Sequence, residues 1–150
     1  TDLAEAVLLS GFDDVRDGRA RLAALAHLRG ASEFADLMVS FKRMGNIVRK
    51  AGDAAGAGGI DDALLDSGAE RSLYDAFVEA RAGVEASLQT RDHAAALTAM
   101  ASLRTPLASF FDDVMVMAED ADVRRNRLAL LTSISGTFAR IADFSAISTE

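Results

Sequence analysis

The sequence predicts an all-α fold: a helical bundle of about six helices, with an N-terminal helical hairpin joined to a bundle built on a long C-terminal helix. Three observations carry that expectation. A single proline interrupts 150 residues. Alanine and leucine, both strong helix formers, are abundant. Apolar residues recur at three- and four-residue spacing, with few of the β-branched alternations that mark strands. Half of the chain is hydrophobic, and a chain of this length buries roughly two-thirds of its unfolded surface. Its core therefore needs no covalent staple.

Taken in order, Asp13 or Asp14 is placed to cap a first helix that carries Val15, Leu22, Leu25 and Ala26 on one side, and Gly30 to stop it. Ser32 is placed to cap a second helix running to about Ala51. On it Leu37, Phe41, Met44 and Val48 follow i, i+4, i+7, i+11 spacing. Lys42, Arg43, Asn46, Arg49 and Lys50 fall within about 120° on nearly the opposite side. These two helices form the expected hairpin, residues 1–51. Residues 52–66 open with a Gly/Ala-rich stretch, Gly52 to Gly59, that reads as a flexible connection, with a short helical turn expected from Asp61 to Leu65.

The remaining residues, 67–150, are read as a second bundle. Ser67-Gly68-Ala69-Glu70 matches a capping box, with Ser67 and Glu70 satisfying free amides at the start of a helix striped by Leu73, Phe77, Val84 and Leu88. Asp92 is placed to cap the next helix, with Leu97, Met100 and Leu103 inward. Thr105-Pro106 marks a restart, because proline at the first helical position loses no needed hydrogen bond. From Phe110 the chain reads as helix, acidic turn and long helix, with Met115 and Met117 as helical core filler. In the last helix Arg127, Leu131, Ile134, Ser135, Phe138, Ile141, Ala142 and Ser145 share a sector too broad for one neighbour to cover. Several helices should pack on it.

Composition narrows function. There is no cysteine, which excludes disulfides and thiolate metal sites and fits a reducing cytoplasm. No apolar run approaches the roughly 18 residues of a membrane span, and Thr1 opens no secretory leader; a chain starting without Met is expected of a piece of a longer protein. The net charge of −7 argues against a general nucleic-acid binder, since neutralising phosphates takes clustered Lys and Arg. Any such site must be local. Both lysines, Lys42 and Lys50, lie on the second helix beside Arg43 and Arg49, so that helix is the first candidate. There, cations can straddle phosphates and Asn46 can offer donor and acceptor to a base edge. The competing reading is a solvated face that keeps the hairpin soluble.

A second candidate is the turn from Glu119 to Asp122 with Arg124, Arg125 and Asn126. Its competing reading is a helix start, with Asp122 as the N-cap. Arg127, near the apolar sector, is expected to pair structurally with a carboxylate such as Asp112 or Asp113. Asp61-Asp62, Asp112-Asp113 and the cluster from Glu119 to Asp122 lack histidine at ligand spacing, and adjacent carboxylates on a helix diverge by about 100°. No catalytic or metal site is read from them. His27 and His93 are isolated and expected near the surface. The glycine-rich stretch lacks the Gly-Lys-Ser/Thr ending of a phosphate loop.

The residues from Phe110 to Ile147 also carry a resemblance. Paired Phe110-Phe111, the Val-Met-Val-Met run from Val114, Ala118-Glu119-Asp120, Asn126 to Leu131 and Asp143-Phe144-Ser145 resemble the C-terminal end of the β subunit of bacterial tetrameric glycyl-tRNA synthetases. More loosely, they resemble the helical anticodon-binding domain of arginyl-tRNA synthetases. Phe41-Lys42-Arg43-Met44-Gly45-Asn46-Ile47 is similar to a Lys-Arg-x-x-Asn-Ile element of the same β subunit. The resemblance implies a domain that recognises the anticodon loop of glycine tRNA within an α2β2 enzyme. In that family ATP and Mg²⁺ serve aminoacylation at the α subunit, so this chain is expected to hold no cofactor. It also gives the second candidate a task, because a glycine anticodon ends in two cytosines and adjacent carboxylates and arginines match a cytosine edge. The rival expectation is a helical protein-interaction module of the same subunit that makes no RNA contact, using exposed apolar residues such as Ile47 or Phe144.

Overall fold

The structure is a computed structural model that describes residues 2–10, 18–19, 22–23, 34–52 and 59–141. Its helices are α1 (Asp2–Ser10), α2 (Phe34–Ala51), α3 (Ala69–Gln89), α4 (His93–Ala101), α5 (Arg104–Asp113) and α6 (Ala121–Ala139). A 3₁₀ turn spans Asp62–Leu64. No strand occurs among the described residues, and no helix there is long and apolar enough to cross a membrane.

The sequence reading missed α1, although Leu3, Ala6 and Val7 repeat at i, i+3, i+4 and are buried. Of the helix expected from Asp13 or Asp14, only residues 18–19 and 22–23 are described; they are helical, with Leu22 half-buried against the core, while Ser32, His27 and Gly30 lie outside the described residues. α2 buries Leu37, Met38, Phe41 and Met44. It packs on both α5 and α6, while α3 packs on α4, α5 and α6. Asp36 pairs with Arg104 at 3.7 Å, and Arg43 stacks on Phe111, so α2 and α5 run in the same direction with the same residue spacing. One apolar cluster runs from Leu3 to Ile141, so α2 shares its core with the later helices. Phe77, Phe110 and Phe138 are its largest buried side chains, and Phe41 meets Phe138 with ring centroids 5.1 Å apart.

α6 is enclosed. Leu128, Ala129, Leu130 and Leu131 are four consecutive buried residues, followed by Ile134 and Phe138. Neighbours must cover this stretch on every side, as the breadth of its apolar sector predicts. Ala142 and Ser145 lie outside the described residues.

Several local expectations need correction. Ser67 is not the cap of α3; Gly68 is, at φ 98° and ψ −136°, a conformation essentially restricted to glycine. Glu70 turns inward, with 1% of its surface exposed. Pro106 is the third residue of α5, which starts at Arg104; the restart holds because the first-turn amides have no helical partner anyway. The N-cap of α6 is Asp120, whose carboxylate accepts from the amides of Asp122 (2.9 Å) and Val123 (3.1 Å). Asp92 caps α4 as expected, accepting from Ala95 N–H at 3.0 Å. His93 is buried rather than superficial.

Met115 and Met117 do not lie on a helix. α5 stops at Asp113, Val114 is extended, and the chain runs irregularly to Asp120. Val116 points into the core, while Met115 and Met117 are 70% and 54% exposed. The helix-filler reading fails because the chain leaves the helix at Val114 and buries only Val116, between two exposed methionines.

Candidate nucleic-acid interface

The amphipathic pattern of α2 places its cations outward. With Leu37, Phe41 and Met44 drawn into the core, Arg43, Asn46, Arg49 and Lys50 are exposed and Lys42 is half-buried. Arg49 donates to the Asn46 side-chain carbonyl one turn away, which leaves the Asn46 amide nitrogen as an outward donor. The guanidinium carbon of Arg43 sits 4.7 Å from the centroid of the Phe111 ring on α5. Gly45 lies within this helix, and a Cβ there would meet nothing within 4 Å. No neighbouring helix therefore requires a glycine at this position.

The second candidate group divides by role. Arg124 donates to the carbonyl of Ala118 at 2.9 Å. Asn126, 4% exposed, clasps the backbone of Asp61: its Oδ1 accepts from the Asp61 N–H at 2.7 Å and its Nδ2 donates to the Asp61 carbonyl at 3.0 Å. Its amide is spent on the fold, so it can serve a ligand only by fixing the connecting segment. Arg125 alone of the three projects outward, held by Asp122 at 2.6 Å. Asp122 and Arg125 line a cavity of ≈ 100 Å³ together with Gly59, Asp61, Leu64 and Asn126.

Arg127 is structural, as the sequence suggested, but with other partners. Asp112 and Asp113 are exposed at the end of α5. Arg127 instead donates to Asp66 (2.9 Å), to Glu70 Oε2 (3.3 Å) and to the Met115 carbonyl (2.7 Å). Glu70 Oε2 also accepts from the Asp66 N–H at 3.2 Å. The start of α6 thus braces two connecting segments, 59–68 and 114–120, through Arg124, Asn126 and Arg127. The signal for this in the sequence was the polar trio Arg124, Asn126 and Arg127 entering an otherwise apolar helix. Beside them Arg71 grips Asp62, and that hydrogen bond raises the arginine pKa above its ordinary value.

Among the described residues no three His, Cys, Asp or Glu side chains could hold a metal ion together, and Asp53 to Gly58 of the glycine-rich stretch lie outside them. The geometry offers an exposed basic face on α2 and, at the start of α6, a braced pair of connecting segments. The exposed polar groups of the α2 face are cations and the Asn46 amide.

Comparison with known proteins identifies the family. The chain is 46% identical over 149 residues to the glycine–tRNA ligase beta subunit of Anaeromyxobacter dehalogenans (strain 2CP-C), a match covering 99% of this chain and 21% of that protein. It is 43% identical over 150 residues to the beta subunit from Myxococcus xanthus (strain DK1622), covering 100% and 21%. The beta subunit from Geobacter metallireducens is 44% identical over 147 residues, covering 98% and 21%. The chain thus spans about a fifth of the length of these curated relatives. The DALR anticodon binding domain matches residues 37–149, from the basic helix through α6. On that match, extending over most of its length, the chain belongs to the DALR anticodon-binding domain family.

Proposed function

We propose that this chain is the anticodon-recognition domain of a glycyl-tRNA synthetase β subunit and that it positions glycine tRNA for aminoacylation elsewhere in the enzyme. The observation that carries the reading is the near-complete alignment of the chain with glycine–tRNA ligase beta subunits, combined with the anticodon-binding family of residues 37–149. In this reading the active site, with ATP and Mg²⁺, belongs to the α subunit of a cytoplasmic α2β2 enzyme. In the same reading this chain contributes binding and orientation. Lys42, Arg43, Arg49 and Lys50 neutralise phosphates of the anticodon arm, Asn46 addresses a base edge, and Arg125 with Asp122 offers a donor and an acceptor to an unstacked base. Arg124 and Asn126 keep that second group in place through the loops they hold. Binding energy gained here is spent on placing the acceptor end at a distant site, and a wrong anticodon would leave polar groups unpaired.

The exposed side chains of Met115 and Met117 favour the second reading, a module that docks on protein and leaves RNA alone. Ile47, the other apolar candidate, is half-buried against the core, and Phe144 lies outside the described residues.

Fluorescence anisotropy separates the two. The chain is titrated with a glycine-tRNA anticodon hairpin and with the same hairpin after both anticodon cytosines are changed, at low and moderate salt. Preference for the native loop, weakening steeply with salt and abolished by joint alanine replacement of Lys42, Arg43, Arg49 and Lys50 without loss of helix content, is the expected result. Equal weak binding to both hairpins would remove anticodon readout from this chain and promote the docking module.

A further inference from the structure

We propose that Phe111 is a positioning residue for RNA binding: its ring holds the Arg43 guanidinium in a conformation ready to meet a phosphate or base. The proposal rests on the anticodon-binding reading above. Phe111 belongs to α5 and is 9% exposed, with its ring set edge-on against the fully buried Phe110 (centroids 5.7 Å, planes at 72°). The core therefore fixes the plane on which Arg43 lies. Among the described residues the other two arginine–aromatic contacts, Arg71 with Tyr74 and Arg81 with Phe77, join residues of a single helix. Arg43 with Phe111 spans two helices and ties the exposed basic face to the bundle.

The chemistry favours a site held ready over one sequestered. A guanidinium carries several N–H donors in a fixed fork, and it is the central carbon of that fork that lies over the ring, 4.7 Å from the centroid. Contact with the ring restricts a long side chain whose immobilisation would otherwise count against binding. Attraction between cation and ring adds to that restriction. Neither lysine of the face has an equivalent, because an ammonium is a point charge on a flexible stem.

The test compares Phe111→Leu, Phe111→Tyr, Arg43→Ala and the Phe111→Leu/Arg43→Ala double variant of this chain, each titrated with the glycine anticodon hairpin well below its melting transition. Phe111→Leu should weaken binding about two- to fivefold, and Phe111→Tyr, which keeps the ring, should bind like the parent. In the Arg43→Ala background Phe111→Leu should have no further effect. An equal loss from Phe111→Leu in both backgrounds would make Phe111 merely structural and overturn the proposal. So would a weakening on Arg43→Ala alone with none on Phe111→Leu. If the parent chain fails to bind the hairpin, the anticodon reading itself falls; if it binds and Arg43→Ala binds equally well, only the role of this arginine falls.

Discussion

Replacing Arg127 with methionine should cost this domain a large part of its stability. Methionine keeps much of the apolar stem and removes three donations: to Asp66, to Glu70 and to the Met115 carbonyl. Asp66 is 76% exposed, so water replaces its partner and the loss there is small. Glu70 is different. It is 1% exposed, and its Oε1 already has no hydrogen-bond partner among the described residues. Without Arg127 only the Asp66 N–H faces that carboxylate. Leaving a buried charge uncompensated costs about 3–5 kcal/mol, against a total stability of about 5–15 kcal/mol for a domain. For a chain of this size the melting temperature should fall roughly 6–20 °C. Thermal and urea melts followed by circular dichroism measure it. The companion variant Glu70→Met/Arg127→Met removes both charges and should recover most of the loss, since apolar replacement of a buried pair is often neutral. A double variant that melts no higher than Arg127→Met would refute the reasoning, because the penalty would then come from lost packing or from the 114–120 segment.

Asn126→Ala removes two hydrogen bonds to Asp61 and should cost about 1–3 kcal/mol, with faster hydrogen exchange at the Asp61 amide as the specific readout. Gly45→Ala should raise stability by about 1 kcal/mol, the helix-propensity difference, because a Cβ there meets nothing. If RNA approaches the α2 backbone at this point, the same variant binds the hairpin less well, so stability and affinity move in opposite directions. Gly68→Ala should do the reverse in a melt, losing about 1–3 kcal/mol, since open space around the position leaves the backbone angle as the whole cost.

What was legible in the sequence is what local chemistry decides. The stripe of α2, the cap at Asp92 and the inward Leu97, Met100 and Leu103 follow from spacing and side-chain type alone, and the structure has them so. The errors share one cause. Ser67 and Glu70 satisfy a four-residue capping pattern, but Glu70 is claimed by Arg127, 57 residues away. Nothing between Asp113 and Ala118 would break a helix, yet the carbonyls of Met115 and Ala118 are taken by Arg127 and Arg124. Those donors replace helical hydrogen bonds at a distance that no window of sequence reveals. In the same way Asn126 looked like a ligand-facing amide until Asp61 was found in its grip. The basic face of α2 could be read in advance because amphipathic helices sort their sides locally. The Phe111 contact beneath Arg43 could not, because it needs the parallel alignment of α2 with α5.

The four consecutive buried residues at the heart of α6 have a mechanical consequence. A helix gripped all round at its middle resists sliding or rolling there, because close-packed interiors resist continuous deformation. Load applied at the outer face of α2 passes through Phe41 into Phe138 and meets a stiff axle. The domain should therefore travel as one piece when it grips a ligand, with any hinge lying in the chain beyond the bundle. A force-bearing handle of this kind reports the presence of its cargo by where it sits, with no change of internal shape.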